Sequence, residues 1–508
     1  ICKFVLLNHK IYKYLNASAM IPKIDFLSEI SNSYSNPEVI CSSVSTILRR
    51  LSLTKALEVG KGFQRNGRSV SLLYILIIMR LLKGSNSVHS MWKKDFFNFI
   101  DSGKNGFYRF LMRPQTDWRR VLSYVSIKYR QTVDQNSIAK PKTEACFILD
   151  DTLLEKTGLK IEGISKVFDH ISNLCLLGFK MLVLGYNDGI STQACDFSLH
   201  RENKKNSWGL NKRELKKHRQ GIHDGKNPDY KRLEELDITK LESALLMLKR
   251  AIRNNFKANY LLADSWFSTI EFMREIRRIS KKSINYLGVG RKDNARYRIN
   301  GVGRTPRQVI ERYSRLSKRK NKKYNCEFFY AKCVIHDCPV KLIFIRNING
   351  KEWSFLITTD MNINFEKAYE LYQVRWTIEV LFKECKQYFK LGKCQAEHFN
   401  EQIADCTIAL ITHTLVSLEN RFSNYETIGG LFVDIGDQLT LMTLWQRIMN
   451  LIVKIMKAIS VLISEPIFEL MRRLIINNHG ELKNLFNLIK VELRSESKIS
   501  ENNTVTCC

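Results

Sequence analysis

The spacing of hydrophobic residues changes along the chain, and each change predicts a different kind of structure. In the first 140 residues, apolar side chains recur at helical spacing, most clearly at 44–58, 70–83 and 118–129. From Ala145 they gather into short continuous runs that alternate with helical stretches. This alternation is typical of a mixed α/β domain with buried strands.

Two of the apolar runs end in acidic residues. The run ACFILDD predicts a buried strand that ends in Asp150 and Asp151, and the run NYLLADS predicts another that ends in Asp264. Between them, residues 174–188 predict two strands on either side of a glycine. Strand ends in an α/β domain open onto the surface where ligands bind, so these acids are candidates for catalysis.

A second change of pattern lies between residues 285 and 359. The segments YLGVG, RYRIN, CEFFYAKCVIH, PVKLIFIR and EWSFLITT are separated by Gly, Asn and basic residues, which predicts an inserted sheet. After residue 395 the pattern is helical again, including 403–418 and 438–463. We therefore expect five parts: a helical N-terminal region (1–140), a core in two pieces (141–284 and 361–420), a β-rich insertion (285–360) and a helical C-terminal region (421–508).

One helix of the second core piece carries a polar stripe. At about 100° per residue, Arg375, Glu379 and Lys386 lie roughly 300°, 340° and 320° from Tyr372, so the four share an arc of about 60°. A neighbouring apolar arc anchors this helix against the core. A carboxylate can hold a metal while Arg and Lys bind oxyanions, and this combination indicates a reaction at a phosphate group. A salt bridge between Arg375 and Glu379 is the structural alternative.

The charge balance favours a polyanionic partner. The chain contains 81 Lys and Arg against 50 Asp and Glu, for a net charge of +31, and nucleic acid is the first partner to consider. We expect no membrane span, because the best candidates, 70–82 and 451–463, are short and carry Arg80 or Lys454 and Lys457. The sequence also lacks the HExxH, P-loop and Gly-rich dinucleotide motifs, so metalloprotease, nucleotide hydrolase and dehydrogenase functions have no support.

Two basic segments are candidates for contact with the DNA backbone. Residues 201–232 carry eleven Lys or Arg with Trp208 and Tyr230 between them, and residues 315–323 read RLSKRKNKK. Such runs bind phosphates through counterion release, although solvated loops have the same composition. The thirteen cysteines are scattered, which favours reduced thiols in a cytosol.

Three segments together resemble a known family. They are FILDDT, YLLADSWFS and the Tyr-Arg-Glu-Lys stripe with its Trp376 and Ile378. Over roughly residues 145–395, this set resembles the DDE insertion-sequence transposases of the YREK subgroup, the insertion-sequence-four family. The resemblance implies an RNase H-like core with a β-rich insertion between its second and third acids.

The resemblance also implies roles for individual residues. It implies that Asp150, Asp264 and Glu379 are catalytic and bind Mg²⁺, with Mn²⁺ as a substitute, and it associates Tyr372, Arg375 and Lys386 with transposon-end DNA. The family's Asp-x-Thr pattern selects Asp150, with Asp151 as the alternative ligand or as a residue that orients one. For Asp264 the alternative is a turn former. Trp353, in the insertion, is either a base-stacking aromatic or a core residue, and the core role is the more common one.

From the resemblance we expect a DNA transposase that cleaves and transfers strands by two-metal phosphoryl transfer. Its partners would be double-stranded DNA, both terminal inverted repeats and target, and a second copy of the chain in a homodimeric synaptic complex. The helical N-terminal region would bind the DNA ends, and the protein would be cytoplasmic and associated with a bacterial nucleoid. The alternatives are a domesticated or inactive DNA-binding relative and a different RNase H-like nuclease or resolvase. A glycosidase is more distant, because a strongly basic surface suits neutral sugars poorly.

Overall fold

The computed structural model describes most of the chain between residues 50 and 439. The described residues are 50–62, 70–93, 104–137, 141–169, 172–202, 209, 213–214, 227–423, 425–437 and 439. The chain divides into two compact units, of which one, residues 47–432, contains nearly all of them. The fold below is that of residues 47–432. The helix predicted at 438–463 and most of the basic segment 201–232, including Trp208, lie outside the described residues.

The helices and strands of this unit follow each other in a mixed order. The helices are α1 (Leu53–Val59), α2 (Val70–Leu82), α3 (Val88–Lys93), α4 (Lys104–Leu111), α5 (Trp118–Asn136), α6 (Pro228–Glu234), α7 (Lys240–Arg253), α8 (Ile270–Ile279), α9 (Pro306–Tyr313), α10 (Phe365–Val374), α11 (Trp376–Gln387) and α12 (Phe399–Phe422). The strands are β1 (Cys146–Glu155), β2 (Ser165–Asp169), β3 (Leu174–Asn187), β4 (Thr192–His200), β5 (Tyr260–Ala263), β6 (Asn285–Val289), β7 (Tyr297–Ile299), β8 (Val302–Arg304), β9 (Arg319–Asn321), β10 (Cys326–Ile335), β11 (Cys338–Asn347) and β12 (Ser354–Thr358). The prediction of a mixed α/β fold is confirmed.

These strands form one mixed sheet. Its order is β2-β3-β1-β5-β6-β12-β11-β10-β7-β8, with β4 also paired to β3 and β9 to β10. Strands β1, β5 and β6 run parallel, whereas β3 is antiparallel to β1 and β12 is antiparallel to β6. Because β12 pairs with β6, the strands expected as an inserted sheet extend the central sheet instead of forming a second one.

Two strand predictions are wrong in their bounds. The run ACFILDD was expected to end in its two acids, but β1 continues to Glu155, because β3 pairs with it along its whole length. Residues 174–187 form one strand and not two. Gly178 lies inside this strand, where a Cβ atom would overlap the carbonyl oxygen of Leu154 on β1. The glycine therefore permits close strand pairing and does not mark a turn.

Helices α7 and α8 cover one face of the central strands. Helix α7 begins with a capping box between Thr239 and Glu242, and the Thr269 side chain caps α8. Their apolar faces join a buried cluster that includes Leu149 and Leu261 of the strands. Helices α11 and α12 contact each other, and α11 packs against β1 and β4. The apolar first half of β1 and the whole of β5 are therefore buried on both faces, as their continuous apolar sequences predict.

Two further observations concern the sequence-based expectations on membranes and thiols. Among the described residues, no helix combines the length and the apolar character that a bilayer crossing requires. Nine of the thirteen cysteines lie in the described part of the chain, and all nine are free thiols.

A buried ion-pair network fastens helix α5 to the core. Asp196 of β4 accepts hydrogen bonds from Arg119 at 3.0 Å and from Arg250 at 2.6 Å, and Glu235 accepts from Arg119 at 2.7 Å. Burial alone would raise the pKa of Asp196, but the guanidinium groups of Arg119, Arg250 and Arg232 lower it to about 2. The depressed pKa means that the carboxylate is held as a buried anion by its cations.

We expect Asp196→Asn to destabilise the protein by about 3–5 kcal/mol, because it leaves Arg250 without its carboxylate and Arg119 with Glu235 alone. Denaturant unfolding at neutral pH measures the change. Since the folded pKa of Asp196 is depressed to about 2, its contribution should be complete above about pH 4 and be lost as the pH falls towards 2. Glu275→Gln, which breaks the exposed pair with Arg278, is the control and should have little effect. Equal effects of the two substitutions would contradict the role given to the network.

Candidate active site

Strand pairing brings two of the predicted acids to the same edge of the sheet. The parallel register of β1 and β5 places Leu149 beside Ala263, and the residues that follow these two are Asp150 and Asp264. Asp150 remains within β1, while Asp264 leaves β5 and accepts a hydrogen bond from the backbone N–H of Trp266 at 3.0 Å. The two residues therefore lie side by side where the parallel pairing of β1 with β5 ends.

The third predicted acid reaches this edge from a helix. The stretch that carries the polar stripe was predicted as one helix, but it divides into α10 and α11 at Arg375. There the backbone hydrogen bonds tighten, with Arg375 N–H donating to Tyr372 and Ile378 N–H donating to Arg375. Tyr372 thus belongs to α10, and Glu379 lies in the first turn of α11.

Arg375 connects two of the acids directly. Its Nη1 donates to Asp150 Oδ2 at 2.8 Å, and its Nη2 donates to Glu379 Oε1. The side chains of Arg375 and Asp150 are only 15% and 16% exposed, and that of Glu379 is 33% exposed. The Arg375–Glu379 salt bridge foreseen as a structural alternative is therefore present, and it extends to Asp150. The third nitrogen of the guanidinium, Nε, is buried and its N–H has no hydrogen-bond partner.

Asp150 and Asp264 have perturbed pKa values. Burial raises the pKa of Asp150 to about 7; Arg375 opposes the shift, and the charges of Asp264 and Asp151 add to it. Burial also raises the pKa of Asp264, with a further contribution from Asp151. Crowded, poorly solvated carboxylates of this kind are a common property of sites that bind cations or transfer protons.

Asp151 lies on the other face of β1 from Asp150. It forms an ion pair with Lys240 of α7, and its Oδ1 is 3.9 Å from Nζ of Lys180 on β3. Alternation along the strand explains this placement, because successive side chains point to opposite faces. Asp150 thus shares its face with Arg375, whereas Asp151 shares its face with two lysines.

The remaining residues of the stripe contact β1 and Arg375. Lys386 Nζ donates to Thr152 Oγ1 of β1 at 2.7 Å, and the Arg375 guanidinium lies 5.8 Å from the centre of the Tyr372 ring. Burial raises the pKa of the Tyr372 phenol, which stays protonated at neutral pH. The structure therefore brings Asp150, Glu379, Tyr372, Arg375 and Lys386 together along the contact between α10, α11 and β1.

Two cations near this site were not singled out from the sequence. Arg291 donates to the carbonyl oxygens of Ser265 and Trp266 at 2.7 and 2.8 Å, which fixes the loop that carries Asp264. Lys240 lies 4.9 Å from the centre of the exposed Trp266 ring, in addition to its pair with Asp151. Neither residue belongs to a recognisable sequence pattern, because each approaches the site only through tertiary contacts.

A cleft of about 650 Å³ opens beside the stripe, between β11, β12 and the two helices. Tyr372, Arg375 and the exposed Trp376 line its helical side. Trp353 is buried, with its ring 5.0 Å from that of Phe329, so its interpretation as a core aromatic is confirmed.

The basic segment 315–323 lies in the described part of the chain. Lys318 and Lys323 form ion pairs with Glu327 and Glu370, at 3.2 and 2.6 Å. Arg315, the strand β9 residues Arg319 and Lys320, and Lys322 are exposed. The segment is thus partly anchored to the sheet and to α10, and it presents its other cations to solvent.

The donor set suits a hard divalent cation in its chemistry. Asp150, Asp264 and Glu379 offer carboxylate oxygens, the ligands that Mg²⁺ prefers, and the crowding of Asp150 by Asp264 is of the kind that a cation relieves. In the described part of the chain, however, no three His, Cys, Asp or Glu side chains are grouped closely enough to hold a metal ion. Two of the three acids are instead joined through Arg375.

Comparison with known proteins places this site in a family context. Residues 211–415 match the family model of the transposase DDE domain. The match includes Asp264 and the stripe from Tyr372 to Lys386, whereas Asp150 lies upstream of it. No curated protein matches the chain. The match supports a relationship with DDE transposases in general and leaves the subgroup open.

The raised pKa of Asp150 predicts a pH dependence of stability in the metal-free protein. An acid whose pKa rises on folding binds more protons in the folded state, so its contribution makes stability fall as the pH increases from about 4 to about 7. Asp150→Asn should remove this component, which is on the order of 2–4 kcal/mol. Denaturant unfolding at several pH values, with a chelator present, measures it. Parallel pH profiles for the two proteins would contradict the pKa shift.

Proposed function

We propose that this protein is a DNA transposase that cleaves and transfers DNA strands at transposon ends, with Asp150, Asp264 and Glu379 as its catalytic acids. The observation that carries the proposal is the position of Asp264 beside Asp150 on parallel strands, with Glu379 linked to Asp150 through Arg375, in a region that overlaps a match to the transposase DDE domain. The strand arrangement supports an RNase H-like core, since β3, β1, β5 and β6 are neighbours in this order and the last three run parallel.

The placement of cations supports a phosphodiester substrate. Arg375, with two parallel N–H groups, can make a bidentate contact with a phosphate, and Lys386 can add a point charge. The Tyr372 phenol is neutral and can donate one hydrogen bond to the same backbone. These three residues would hold the DNA end while the acids act on the scissile bond.

The carboxylates would hold a divalent cation, Mg²⁺ or in its place Mn²⁺. When bound, the metal supplies charge stabilisation for the attacking and leaving oxygens of an in-line displacement. Asp150 and Asp264 would each contribute an oxygen from the sheet edge, and Glu379 would contribute one from α11. Arg291 would keep the Asp264 loop in position through its two carbonyl contacts.

The proposal extends to partners and location. Double-stranded DNA is the proposed substrate, both as terminal repeats and as target, and joining two ends requires two active sites, which favours a homodimeric synaptic complex. A net charge of +31 supports binding to a polyanion of this size. We place the protein with the DNA of a bacterial cytoplasm and in the YREK subgroup, on the spacing of Tyr372, Arg375, Glu379 and Lys386.

Substitution of the acids tests the catalytic assignment. We expect Asp150→Asn, Asp264→Asn and Glu379→Gln each to lower Mg²⁺-dependent nicking of DNA that carries the sequences flanking the reading frame by at least about 100-fold, a typical loss for a group that acts in the transition state. Asp151→Asn is the matched comparison, since Asp151 lies on the opposite face of β1, and it should cause a much smaller loss.

Four other results would change the assignment or the proposed activity. If Asp151→Asn abolishes nicking and Asp150→Asn does not, the ligand on β1 has been assigned to the wrong residue. If Glu379→Gln still cleaves and joins end DNA, the mechanism is wrong. Cleavage of branched DNA without preference for the flanking sequences would favour a different nuclease or resolvase, and binding without cleavage by the wild type would favour an inactive relative.

Lys386→Met tests the DNA-binding role of the stripe. The substitution should weaken binding of end DNA about tenfold and lower the slope of log affinity against log salt by about one, because one phosphate contact is lost. Thr152→Val is the control: it removes the hydrogen-bond partner of Lys386 but keeps the cation, so it should preserve the salt slope. An unchanged slope in Lys386→Met would exclude a direct phosphate contact.

A further inference from the structure

We propose that Arg375 is the internal counter-ion of the metal-free site and that it must leave Asp150 and Glu379 before a divalent cation can bind there. Metal binding then releases the guanidinium, which becomes available to a DNA phosphate. This inference rests on the proposed function and concerns the regulation of the same site.

Arg375 contacts two of the acids at the same time. One guanidinium joins two acids that belong to different elements, with Nη1 on Asp150 of β1 and Nη2 on Glu379 of α11. A metal ligand must direct its oxygen to the ion at about 2.0–2.6 Å, a position that an Arg hydrogen-bonded to the same oxygen obstructs. In the described part of the chain, no three His, Cys, Asp or Glu side chains are grouped closely enough to hold a metal ion.

The environment of Arg375 also supports the inference. Its side chain is 15% exposed, and its Nε is a buried donor without a partner. A buried donor left unpaired is unfavourable, so the bridge satisfies the guanidinium only in part. A phosphate can accept two parallel N–H bonds from the guanidinium, one of them from Nε, and so supply the partner that Nε lacks.

The charge balance of the site supports it too. Without a metal, Arg375 is the cation bonded to Asp150 and Glu379, and the charge of Asp264 also acts on Asp150. If a divalent cation bound while Arg375 stayed in place, the metal and the guanidinium would repel each other at close range. If Arg375 left without a metal, two half-buried carboxylates would lose their counter-charge. The exchange of one cation for the other avoids both states.

The two positions of Arg375 exclude each other, and this couples the ligands. A phosphate that holds Arg375 frees the acids for metal, and a metal that holds the acids frees Arg375 for phosphate. By linkage, DNA must raise metal affinity by the same factor by which metal raises DNA affinity. The DNA-free protein would bind metal weakly, because only the fraction with Arg375 displaced is competent.

Mn²⁺ binding to the purified full chain tests the inference without any measurement of activity. We would titrate Mn²⁺ and follow the free ion by electron paramagnetic resonance, with and without a duplex oligonucleotide that carries the sequences flanking the reading frame. Arg375→Gln removes the bridge, and it should raise Mn²⁺ affinity roughly tenfold in the absence of DNA and abolish the effect of DNA. In the wild type, DNA should raise Mn²⁺ affinity by a similar factor.

Two variants separate the bridge from simple charge. Arg375→Lys keeps the positive charge, but an ammonium cannot span both acids with a planar fork, so Mn²⁺ affinity should still rise. Lys386→Gln removes a positive charge from the same stripe without touching the acids, and Mn²⁺ affinity should change by less than in Arg375→Lys. Thermal unfolding of each variant shows that it is folded, and Arg375→Lys carries the test if Arg375→Gln is not.

The outcomes distinguish the inference from the function on which it rests. Mn²⁺ binding that Asp150→Asn and Glu379→Gln abolish, but that is equal in the wild type and in both Arg375 variants, would overturn the inference and leave the proposed function standing. Equal increases in Lys386→Gln and Arg375→Gln would overturn it too, because long-range charge would then explain the effect. If no protein binds Mn²⁺ through Asp150 and Glu379, with or without DNA, the proposed function falls as well.

Discussion

The bridge from Arg375 to Asp150 and Glu379 joins the sheet to a helix, and Arg375 is 225 positions from Asp150 in the chain. It depends on the packing of α11 against β1, which holds Asp150 in a poorly solvated place where its charge needs a partner. The site is therefore a property of the helix–sheet contact.

The same sheet edge shows how strand geometry sorts similar residues. Asp150 and Asp151 are adjacent and chemically identical, yet one faces α11 and Arg375 while the other faces α7 and its Lys240. Parallel pairing with β5 then adds Asp264 beside Asp150. Asp150 and Asp264 thus belong to neighbouring parallel strands, and Glu379 of α11 is linked to Asp150 through Arg375.

The rest of the unit supports this edge at a distance. Extension of the central sheet through β12, β11 and β10 provides one wall of the cleft that Tyr372, Arg375 and Trp376 line, and it buries Trp353 in the process. On the other side, the buried pairs of Asp196 with Arg119 and Arg250 fasten α5 and α7 to β4, which packs against α11. Long-range ion pairs and sheet pairing therefore help to hold α11 in its position against β1.

The sequence by itself determined the mixed α/β character, the positions of the main apolar runs and the residues worth considering, because hydrophobic periodicity and polar spacing are local properties that survive without a fold. It misjudged where β1 ends, divided β3 at Gly178 and treated the stripe as one helix, since each of these depends on a partner strand or helix that the local pattern does not contain. Only the tertiary structure decided that Asp150 and not Asp151 shares a face with Glu379, that Arg291 and Lys240 lie near the site, and that a single guanidinium stands between two of the acids. The physical reason is that burial and charge pairing act between residues far apart in the chain, and these interactions exist only once the sheet has assembled.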